Sequence, residues 1–447
     1  MTQIYGGTLA AQAKGTAPNP IRILEQRLRA DPSRVVLRPF HLGWQATNAP
    51  QDRATSLVQA VAQLSDAKVA SVYAKILEDF QDRHWQTEHI FEARYRELKV
   101  SLDLEDGEFS AERRKLIGAY FCQEYTYAAA ALMNPSIVPH PDQTGMVNGS
   151  VRFILSLRAV GEGHISSIAF REGIANIDGS FDLWPENAFA TTVQRIDNCA
   201  QGDDDCPVVV ERHCDSSLSN TVIFPITEQQ ANGLEDLRLV RFDHGEGDFE
   251  WLGTYTAYSG HSIRSEMLRT RDFRTFALAP IKGRAARNKG MALFPQNIDG
   301  RYAMIGRQDG KNLYLLRSDR LDSWDDDGVL LMGPEYSWEF IQIGNCGSPI
   351  LTDAGWLVIT HGVGAMRKYA LGCVLLDRDD PSRVLARTPE PILTAQDADR
   401  AGYVPNVVYT CGAMLLGPET LLIPYGISDI AVGFATAQVS DLLALMR

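Results

Sequence analysis

The sequence has few cysteines and lacks long apolar and basic runs, and each absence argues against a class of protein. Its 447 residues include seven cysteines, an odd number spread along the chain, which favours reduced thiols over a disulfide framework. The apolar stretches are far shorter than the roughly 18 residues that cross a bilayer. No run of five basic residues occurs and the net charge is −13, so we expect no nucleic-acid partner.

The remaining composition is that of an ordinary globular protein. Charged residues make up 22% and hydrophobic residues 45% of the chain, which argues against disorder. The first residues contain no basic segment followed by an apolar core, so we predict no secretory signal, no membrane association and a cytoplasmic location. At about 150 residues per domain the length suggests three domains, although single β-rich folds often run longer.

One cluster of possible metal ligands lies in the Cys/Asp-rich stretch 198–215. It contains Cys199, Cys206, His213 and Cys214. A zinc site usually includes a tight Cys-x2–4-Cys pair, which the spacing of Cys199 and Cys206 does not supply. Adjacent His213 and Cys214 would point apart on a regular strand. We therefore predict a loop without a metal, with a metal site as the alternative.

The N-terminal third has helical periodicity, and we predict a helical extension over residues 1–133. Between residues 64 and 84 the apolar residues recur at helical spacing after a possible cap at Ser65 or Asp66. A second helix is expected around Phe91, and a third after Ser110. The apolar stripe of the first of these helices consists of Val69, Val72, Tyr73, Ile76, Leu77 and Phe80.

After Asn134 the pattern changes to short strands separated by Gly, Asp and Pro turns. Five passages share one plan, a strand, a polar or Gly-bearing turn and a second strand, and they begin at residues 151, 253, 301, 355 and 420. Repeats of roughly 40–60 residues with several strands each are typical of propeller blades. We predict an all-β core, a five-bladed β-propeller over 134–438, followed by a short helix over 439–447. A mixed β-sandwich is the alternative.

In a propeller the inner strands line an axial channel, so the polar groups that end them would converge. These groups are Arg158, Tyr255, Arg307, His361 and Tyr425. A further polar pair, Glu235 and Asp236, enters a Val/Leu-rich strand. Neighbours on a strand point to opposite faces, so without a bulge only one of these carboxylates would face the channel. We expect the other to form structural hydrogen bonds or a salt bridge with an arginine, and a plain turn or cap remains the alternative.

Six distinctive strings occur in order along the β-rich part of the chain. They are GLEDLR (233–238), YTAY (255–258), NKGMALFP (288–295), GSPI with GWLVITHG (347–362), LLDRDDPSRVLART (375–388) and GYVPNVVYTCG (402–412). Together they resemble glycoside hydrolase family 130, the β-mannoside phosphorylases and β-mannosidases. The resemblance covers roughly residues 134–437 and implies a five-bladed propeller.

The resemblance implies that Asp236 is the proton donor. Leu237 stands where the family usually has Pro, which alters the turn but not the carboxylate. It also implies an inverting reaction in which inorganic phosphate attacks a β-mannoside oligosaccharide and gives α-mannose 1-phosphate. Direct protonation needs a carboxylic acid with a raised pKa, whereas some members are thought to relay the proton through a mannose hydroxyl. No cofactor is implied beyond phosphate as co-substrate.

A phosphorylase needs cations that hold a dianion against the sugar ring. Arg264, Lys289 and His361 resemble phosphate-binding positions of the family, and Arg307 is a further cation expected in the channel. Each has an alternative: Arg264 can pair with Glu266, Lys289 can be solvated, Arg307 can brace a turn, and His361 can be a structural histidine. An inverting hydrolase would need a second carboxylate as base, for which Glu162 and Asp429 are candidates.

For the sugar, Asn134, Arg158 and Asp429 resemble family positions that hold hydroxyls, and Tyr255 is a candidate for stacking on the ring. An Asn-Pro turn and a turn-capping acid are the alternatives for Asn134 and Asp429. Three functions stay open: a phosphorylase, a hydrolase on the same scaffold and a sugar-binding propeller without turnover. The amphipathic helices also predict a homo-oligomer.

Overall fold

The fold is described from a computed structural model, over residues 20–42, 50–84, 86–105, 107–186, 189–197 and 206–447. It is mostly β-sheet with few helices, as predicted for the core. The strands up to residue 280 are β1 (Ile21–Arg29), β2 (Val35–Pro39), β3 (Cys122–Thr126), β4 (Ala131–Pro139), β5 (Ser150–Val160), β6 (Ser166–Asn176), β7 (Phe181–Leu183), β8 (Thr191–Thr192), β9 (Gln194–Arg195), β10 (Val208–Glu211), β11 (Thr221–Ile223), β12 (Gly233–Gly245), β13 (Asp248–Tyr258), β14 (Ile263–Thr270) and β15 (Thr275–Pro280).

The remaining strands are shorter on average and follow in regular hairpins. They are β16 (Ala292–Leu293), β17 (Tyr302–Gly306), β18 (Leu313–Ser318), β19 (Val329–Met332), β20 (Gln342–Asn345), β21 (Ile350–Thr352), β22 (Gly355–Val363), β23 (Tyr369–Leu376), β24 (Val384–Arg387), β25 (Leu393–Thr394), β26 (Val408–Tyr409), β27 (Met414–Leu416), β28 (Thr420–Ile427) and β29 (Ala431–Gln438).

Four helices lie between β2 and β3, and one follows β29. They are α1 (Pro50–Ala62), α2 (Asp66–Phe80), α3 (Thr87–Ser101), α4 (Ala111–Tyr120) and α5 (Val439–Leu445). The side chains of Ser65 and Ser110 cap α2 and α4 by accepting hydrogen bonds from backbone N–H groups, which satisfies donors that a helix start leaves free. The apolar faces of α1–α4 pack around one core that includes Val69, Phe91 and Leu116.

The helical prediction is wrong for residues 21–39, which form β1 and β2. β1 pairs antiparallel with β29 near the C-terminus, and β2 pairs with β3. The basic and apolar residues of β1 follow neither a helical nor a strand period clearly. The partner of β1 lies some 400 residues away in the chain, so a tertiary contact, and not the local pattern, makes this segment a strand. β3 and the start of β4 are also strands within the segment predicted as helical.

The strands form four larger sheets and the two-stranded β2–β3 sheet. One sheet has the order β1-β29-β28-β26, a second β16-β17-β18-β19, and a third β20-β22-β23-β24. The twelve-stranded sheet runs β4-β5-β6-β12-β13-β14-β15-β10-β9. The strands before and after the β6–β12 junction are joined by one strand pairing, in which β6 and β12 run parallel through Ser166 and Gly233. Sequential antiparallel hairpins therefore dominate, and the apolar clusters lie between them.

The expectation of reduced thiols is wrong for Cys206, which is disulfide-bonded. Cys122, Cys214, Cys346 and Cys373 are free, as is the buried Cys411. Cys199 lies outside the described residues. Within the described ranges, no helix combines the length and the apolar character needed to span a bilayer.

The pairing of β1 with β29 predicts that the N-terminal strand stabilises the last sheet. Ile21 is 4% exposed in the core beside this sheet, so we expect Ile21→Ala to lower the free energy of unfolding by about 2–4 kcal/mol. Urea titration followed by tryptophan fluorescence measures it. Glu25→Ala, at an exposed position of the same strand, serves as control and should change stability by under about 0.5 kcal/mol. Equal stability of both variants would contradict the pairing.

Candidate active site

A cavity of about 210 Å³ collects most of the predicted site residues. Seven of the nine line it, and they come from different sheets and the loops that follow them. The predicted residues in the lining are Asn134, Arg158, Asp236, Lys289, Arg307, His361 and Asp429. The other lining residues are Arg238, Gln342, Arg367, Tyr369, Val407 and Tyr409. Residues that are hundreds of positions apart in the sequence therefore share one polar site.

Three of these residues hold a left-handed backbone conformation that is uncommon for side chains other than glycine. Asn134, Asp236 and Asp429 have φ angles of 49°, 58° and 52°. The ladder of β4 shifts register between Met133 and Ser136, and that of β12 between Glu235 and Arg238. Asn and Asp tolerate this conformation best, because their short polar side chains bond locally. The two bulges aim the side chains of Asn134 and Asp236 at the cavity, and Asp429 reaches it from the turn after β28.

The bulge in β12 places both members of the acidic pair against one arginine. Arg158 donates from Nη2 to Glu235 Oε1 at 2.7 Å and from Nη1 to Asp236 Oδ1 at 3.4 Å. Lys289 Nζ lies 2.5 Å from Glu235 Oε2. Asn134 Nδ2 donates to Asp236 Oδ1 at 2.7 Å. The predicted salt bridge of the neighbouring carboxylate with an arginine is confirmed for Glu235, which is buried.

The two aspartates of the cavity have pKa values displaced in opposite directions. Burial alone would raise the pKa of Asp236, but the charges of Arg158 and Arg238 outweigh it and hold that pKa below its usual value. For Asp429, burial and the nearby charge of Asp236 raise the pKa to about 6. Asp236 is therefore ionised near neutral pH, which does not match the raised pKa that direct protonation requires.

His361 contributes no positive charge, contrary to its prediction as a cationic residue. Burial and the adjacent charge of Arg307 hold the pKa of His361 well below its usual value, so the ring is neutral at pH 7. His361 Nε2 lies 3.2 Å from Arg307 Nη1. A Cβ on Gly344 would come within 2.3 Å of the His361 ring and 2.8 Å of Arg307 Nη1. The glycine thus leaves room for a histidine that orients the arginine.

The structure does not bring Arg264 and Tyr255 into the cavity. Both bind Glu266: Arg264 Nη2 donates to Oε1 at 2.6 Å, and the Tyr255 hydroxyl donates to Oε2 at 2.6 Å. The pairing with Glu266 is the alternative that the sequence left open for Arg264. Ser265 lies between Arg264 and Glu266 in the chain. Its Oγ donates to the carbonyl of Asn288, the residue before Lys289, at 3.1 Å. Ser265 therefore anchors the loop that carries Lys289 to β14.

Tyr425, expected at the end of an inner strand, is 1% exposed in an apolar core and does not line the cavity.

Arg238 was not predicted as a site residue, although it lies inside the GLEDLR string. Its guanidinium is buried and donates to the carbonyls of Cys346 at 2.9 Å and Asp236 at 3.0 Å, and to the hydroxyl of Tyr409 at 2.6 Å. It thereby ties the bulge of Asp236 to β26 and to the loop that follows β20. Tyr409 lies in the string GYVPNVVYTCG (402–412), so the motifs could have pointed to both residues. Gln342 and Arg367 also line the cavity, but they lie outside the six strings, and no pattern in the sequence marks them as site residues.

Two other features of the surface are less suited to catalysis. A larger cavity of about 930 Å³ is lined by side chains that pair with one another, such as Arg269 with Glu250 and Arg320 with Asp322. His213, Cys214 and Asp215 place possible ligand atoms within 4.8 Å of one another, on a largely exposed loop. The absence of a metal remains a prediction.

The raised pKa of Asp429 gives a pH-dependent stability. A carboxyl whose pKa rises on folding favours the folded state while protonated, so this stabilisation is present below about pH 4 and is lost as the pH rises through 6. We expect Asp429→Asn to be more stable than the wild type by about 2–3 kcal/mol at pH 7.5 and about 1 kcal/mol at pH 4.5. Urea unfolding at both pH values measures the difference. The exposed control Asp353→Asn should show no such trend, and a pH-independent gain for Asp429→Asn would refute the assignment.

Comparison with known proteins identifies the family. Residues 213–447 match the sequence model of glycoside hydrolase family 130, described as β-1,4-mannooligosaccharide phosphorylase. The chain is 34% identical over 236 residues to a 1,2-β-oligomannan phosphorylase of Thermoanaerobacter sp. (strain X514), covering 50% of this chain and 75% of that one. It is 30% identical over 229 residues to a β-1,2-mannobiose phosphorylase of Listeria innocua serovar 6a (strain ATCC BAA-680 / CLIP 11262), covering 49% and 62%.

A solved structure shares the fold at a TM-score of 0.51 and 19% identity, covering 71% of this chain and 87% of that one. It comes from work on glycoside hydrolases of this family that target β-1,2-mannosidic linkages in Candida mannan. The sequence match spans more than half of the chain and includes the strands and loops that carry Asp236, Lys289, Arg307 and Asp429. This protein belongs to glycoside hydrolase family 130.

Proposed function

We propose that this protein is an inverting β-mannoside phosphorylase that transfers mannose from a β-linked manno-oligosaccharide to inorganic phosphate and releases α-mannose 1-phosphate. A phosphate oxygen forms the new bond to C1 of mannose, the glycosidic C1–O bond breaks, and the leaving oxygen takes up a proton. The observation that carries the proposal is one cavity in which Asp236 shares space with Lys289 and Arg307. The names of the phosphorylases that this chain resembles support the same reaction.

We propose Lys289 and Arg307 as the cations that hold phosphate. The guanidinium of Arg307 is oriented by the neutral ring of His361, and planar donors suit phosphate oxygens. Lys289 is balanced by Glu235 and therefore stays in place before phosphate arrives. A phosphorylase needs no base to activate its nucleophile, because phosphate is already one. The charge distribution thus favours phosphorolysis over hydrolysis.

We assign proton donation to Asp236 and sugar binding to Asn134, Arg158 and Asp429. The low pKa of Asp236 means that it must first gain a proton. A phosphate dianion in the same cavity raises the pKa of a nearby carboxylate, so binding of phosphate promotes that uptake. Asn134 and Arg158 already hold the Asp236 carboxylate and have donors left for sugar hydroxyls. No cofactor is part of this scheme.

The arrangement of strands supports a five-bladed propeller around this cavity. The twelve-stranded sheet divides at its single β6–β12 contact into β4–β7 and β12–β15. With β16–β19, β20–β24 and β26–β29, this gives five successive groups of hairpins. The pairing of β1 with β29 would then close the ring by joining the N-terminal strand to the last blade.

A hydrolase is the second candidate, because Asp429 supplies a second carboxylate in the cavity. An inverting hydrolase uses such a group as a base, which must be ionised. With a pKa of about 6, Asp429 is largely ionised at pH 7.5. Only the dependence on phosphate separates the two reactions.

We expect turnover to depend on phosphate. The protein is incubated with β-1,2-, β-1,3- and β-1,4-linked manno-oligosaccharides and with mannosyl-glucose, with and without inorganic phosphate. Phosphorus NMR should detect α-mannose 1-phosphate, and no mannose should appear without phosphate. Free mannose released in phosphate-free buffer would support the hydrolase instead. Binding of the oligosaccharides without any turnover would indicate the third candidate function, a sugar-binding protein.

We expect Asp236→Asn to lower kcat by about 10³-fold, since a positioned proton donor contributes on this order. Phosphate release from mannose 1-phosphate and an acceptor sugar, the reverse reaction, provides a continuous assay. Asp243→Asn on the same strand does not touch the cavity and should keep full activity. Activity of Asp236→Asn within tenfold of the wild type would refute its role.

A further inference from the structure

Three buried polar atoms beside the proposed phosphate site have no hydrogen-bond partner in the described part of the protein. They are Nε of Arg307 and both amide atoms, Nδ2 and Oδ1, of Asn345. Asn345 is 1% exposed. A buried donor or acceptor that stays unpaired costs about 1–3 kcal/mol, so three in one place indicate a binding partner that satisfies them.

Two of these atoms, Nε of Arg307 and Oδ1 of Asn345, lie beside a notch at Gly290, the residue that follows Lys289. Gly290 has a φ of 97°, which disfavours any side chain. The position that a Cβ would take lies 3.8 Å from Asn345 Oδ1 and 3.9 Å from Arg307 Nε. The missing side chain thus leaves space for about one atom in contact with both groups.

Asn345 reaches this position from the strand that also supports His361. It ends β20, next to Gly344, which pairs with His361 in β22. Arg307 bridges the two features, because its Nη1 contacts His361 and its Nε faces the notch. The notch therefore continues the cradle formed by Lys289 and Arg307.

The donors and acceptor of the notch match the hydrogen phosphate ion. Arg307 Nε and Asn345 Nδ2 can donate to unprotonated phosphate oxygens, and Asn345 Oδ1 can accept from the P–OH group. Sulfate has the same shape but no proton to donate near pH 7, so it would leave the acceptor unpaired. A bound water, which also donates and accepts, is the competing occupant.

We propose that Asn345 is a phosphate-binding residue and that the Gly290 notch, with Arg307 Nε and the Asn345 amide, seats one P–O(H) group of hydrogen phosphate. This proposal rests on the phosphorylase function and specifies how its nucleophile is held. It makes Asn345 a source of selectivity for phosphate over sulfate. The cradle then has four parts: Lys289, Arg307 oriented by His361, Gly290 and Asn345.

The test compares phosphate with sulfate and with the sugar substrate. In Asn345→Leu, which keeps the size but removes both polar atoms of the side-chain amide, we expect the KM for phosphate to rise about tenfold to a hundredfold. The KM for the mannoside should change less than twofold. In the wild type, inorganic phosphate should raise the Tm clearly more than the same concentration of sulfate, and Asn345→Leu should lose this difference.

Thr352→Val is the matched control, because it removes a buried hydroxyl from the same sheet away from the cavity. Its KM for phosphate should equal that of the wild type. An unchanged KM for phosphate in Asn345→Leu, or an equal rise in both KM values, would overturn the proposal. Equal stabilisation of the wild type by phosphate and sulfate would also overturn it, and would indicate that water occupies the notch. That measurement needs no variant. Turnover without phosphate would instead overturn the proposed function.

Discussion

The site depends on a backbone constraint, the left-handed conformation of Asn134, Asp236 and Asp429. Each lies at or just beyond a strand, where a regular ladder would send successive side chains to opposite faces. A left-handed residue breaks this alternation and costs of order 1–3 kcal/mol unless the surroundings enforce it. Here the hydrogen bonds of Arg238 to the carbonyl of Asp236 and of Asn134 to its carboxylate supply part of that enforcement. Local strain is thus stored where the polar groups must converge.

Charge balance is the second constraint, because the cavity holds several ionised groups away from water. Arg158 lies between Glu235 and Asp236, and Lys289 bonds to Glu235, so each of these four charges has a partner of opposite sign. A buried charge without a partner costs several kcal/mol. Glu235 therefore holds two cations in place. In the proposed reaction, the two acidic residues thus have different tasks, since Asp236 is the one assigned to proton donation.

The sequence allowed prediction of the β-rich core, the helices α2–α4 and seven cavity residues, because hairpin repeats and motif strings are local. It did not allow prediction of β1, whose antiparallel partner near the C-terminus is invisible to local periodicity. The neutral state of His361 was also out of reach, since it follows from burial beside Arg307. Arg264 lies outside the cavity for a related reason: Glu266, two residues further along the chain, pairs with its side chain.

These failures share a physical origin, which is that a local sequence pattern fixes residue identity while the surroundings fix strand pairing, side-chain partners and charge state. A histidine in a phosphate-binding position suggests a cation, yet a second positive charge next to Arg307 would raise the cost of burying both. The neutral ring instead offers Nε2 to Nη1 of Arg307 and so fixes the direction of the remaining donors. An oriented single charge discriminates oxygens better than two mobile ones, because it loses less freedom on binding. In the proposed reaction an oxyanion nucleophile must approach one carbon, so the reaction depends on the fixed direction of the Arg307 donors.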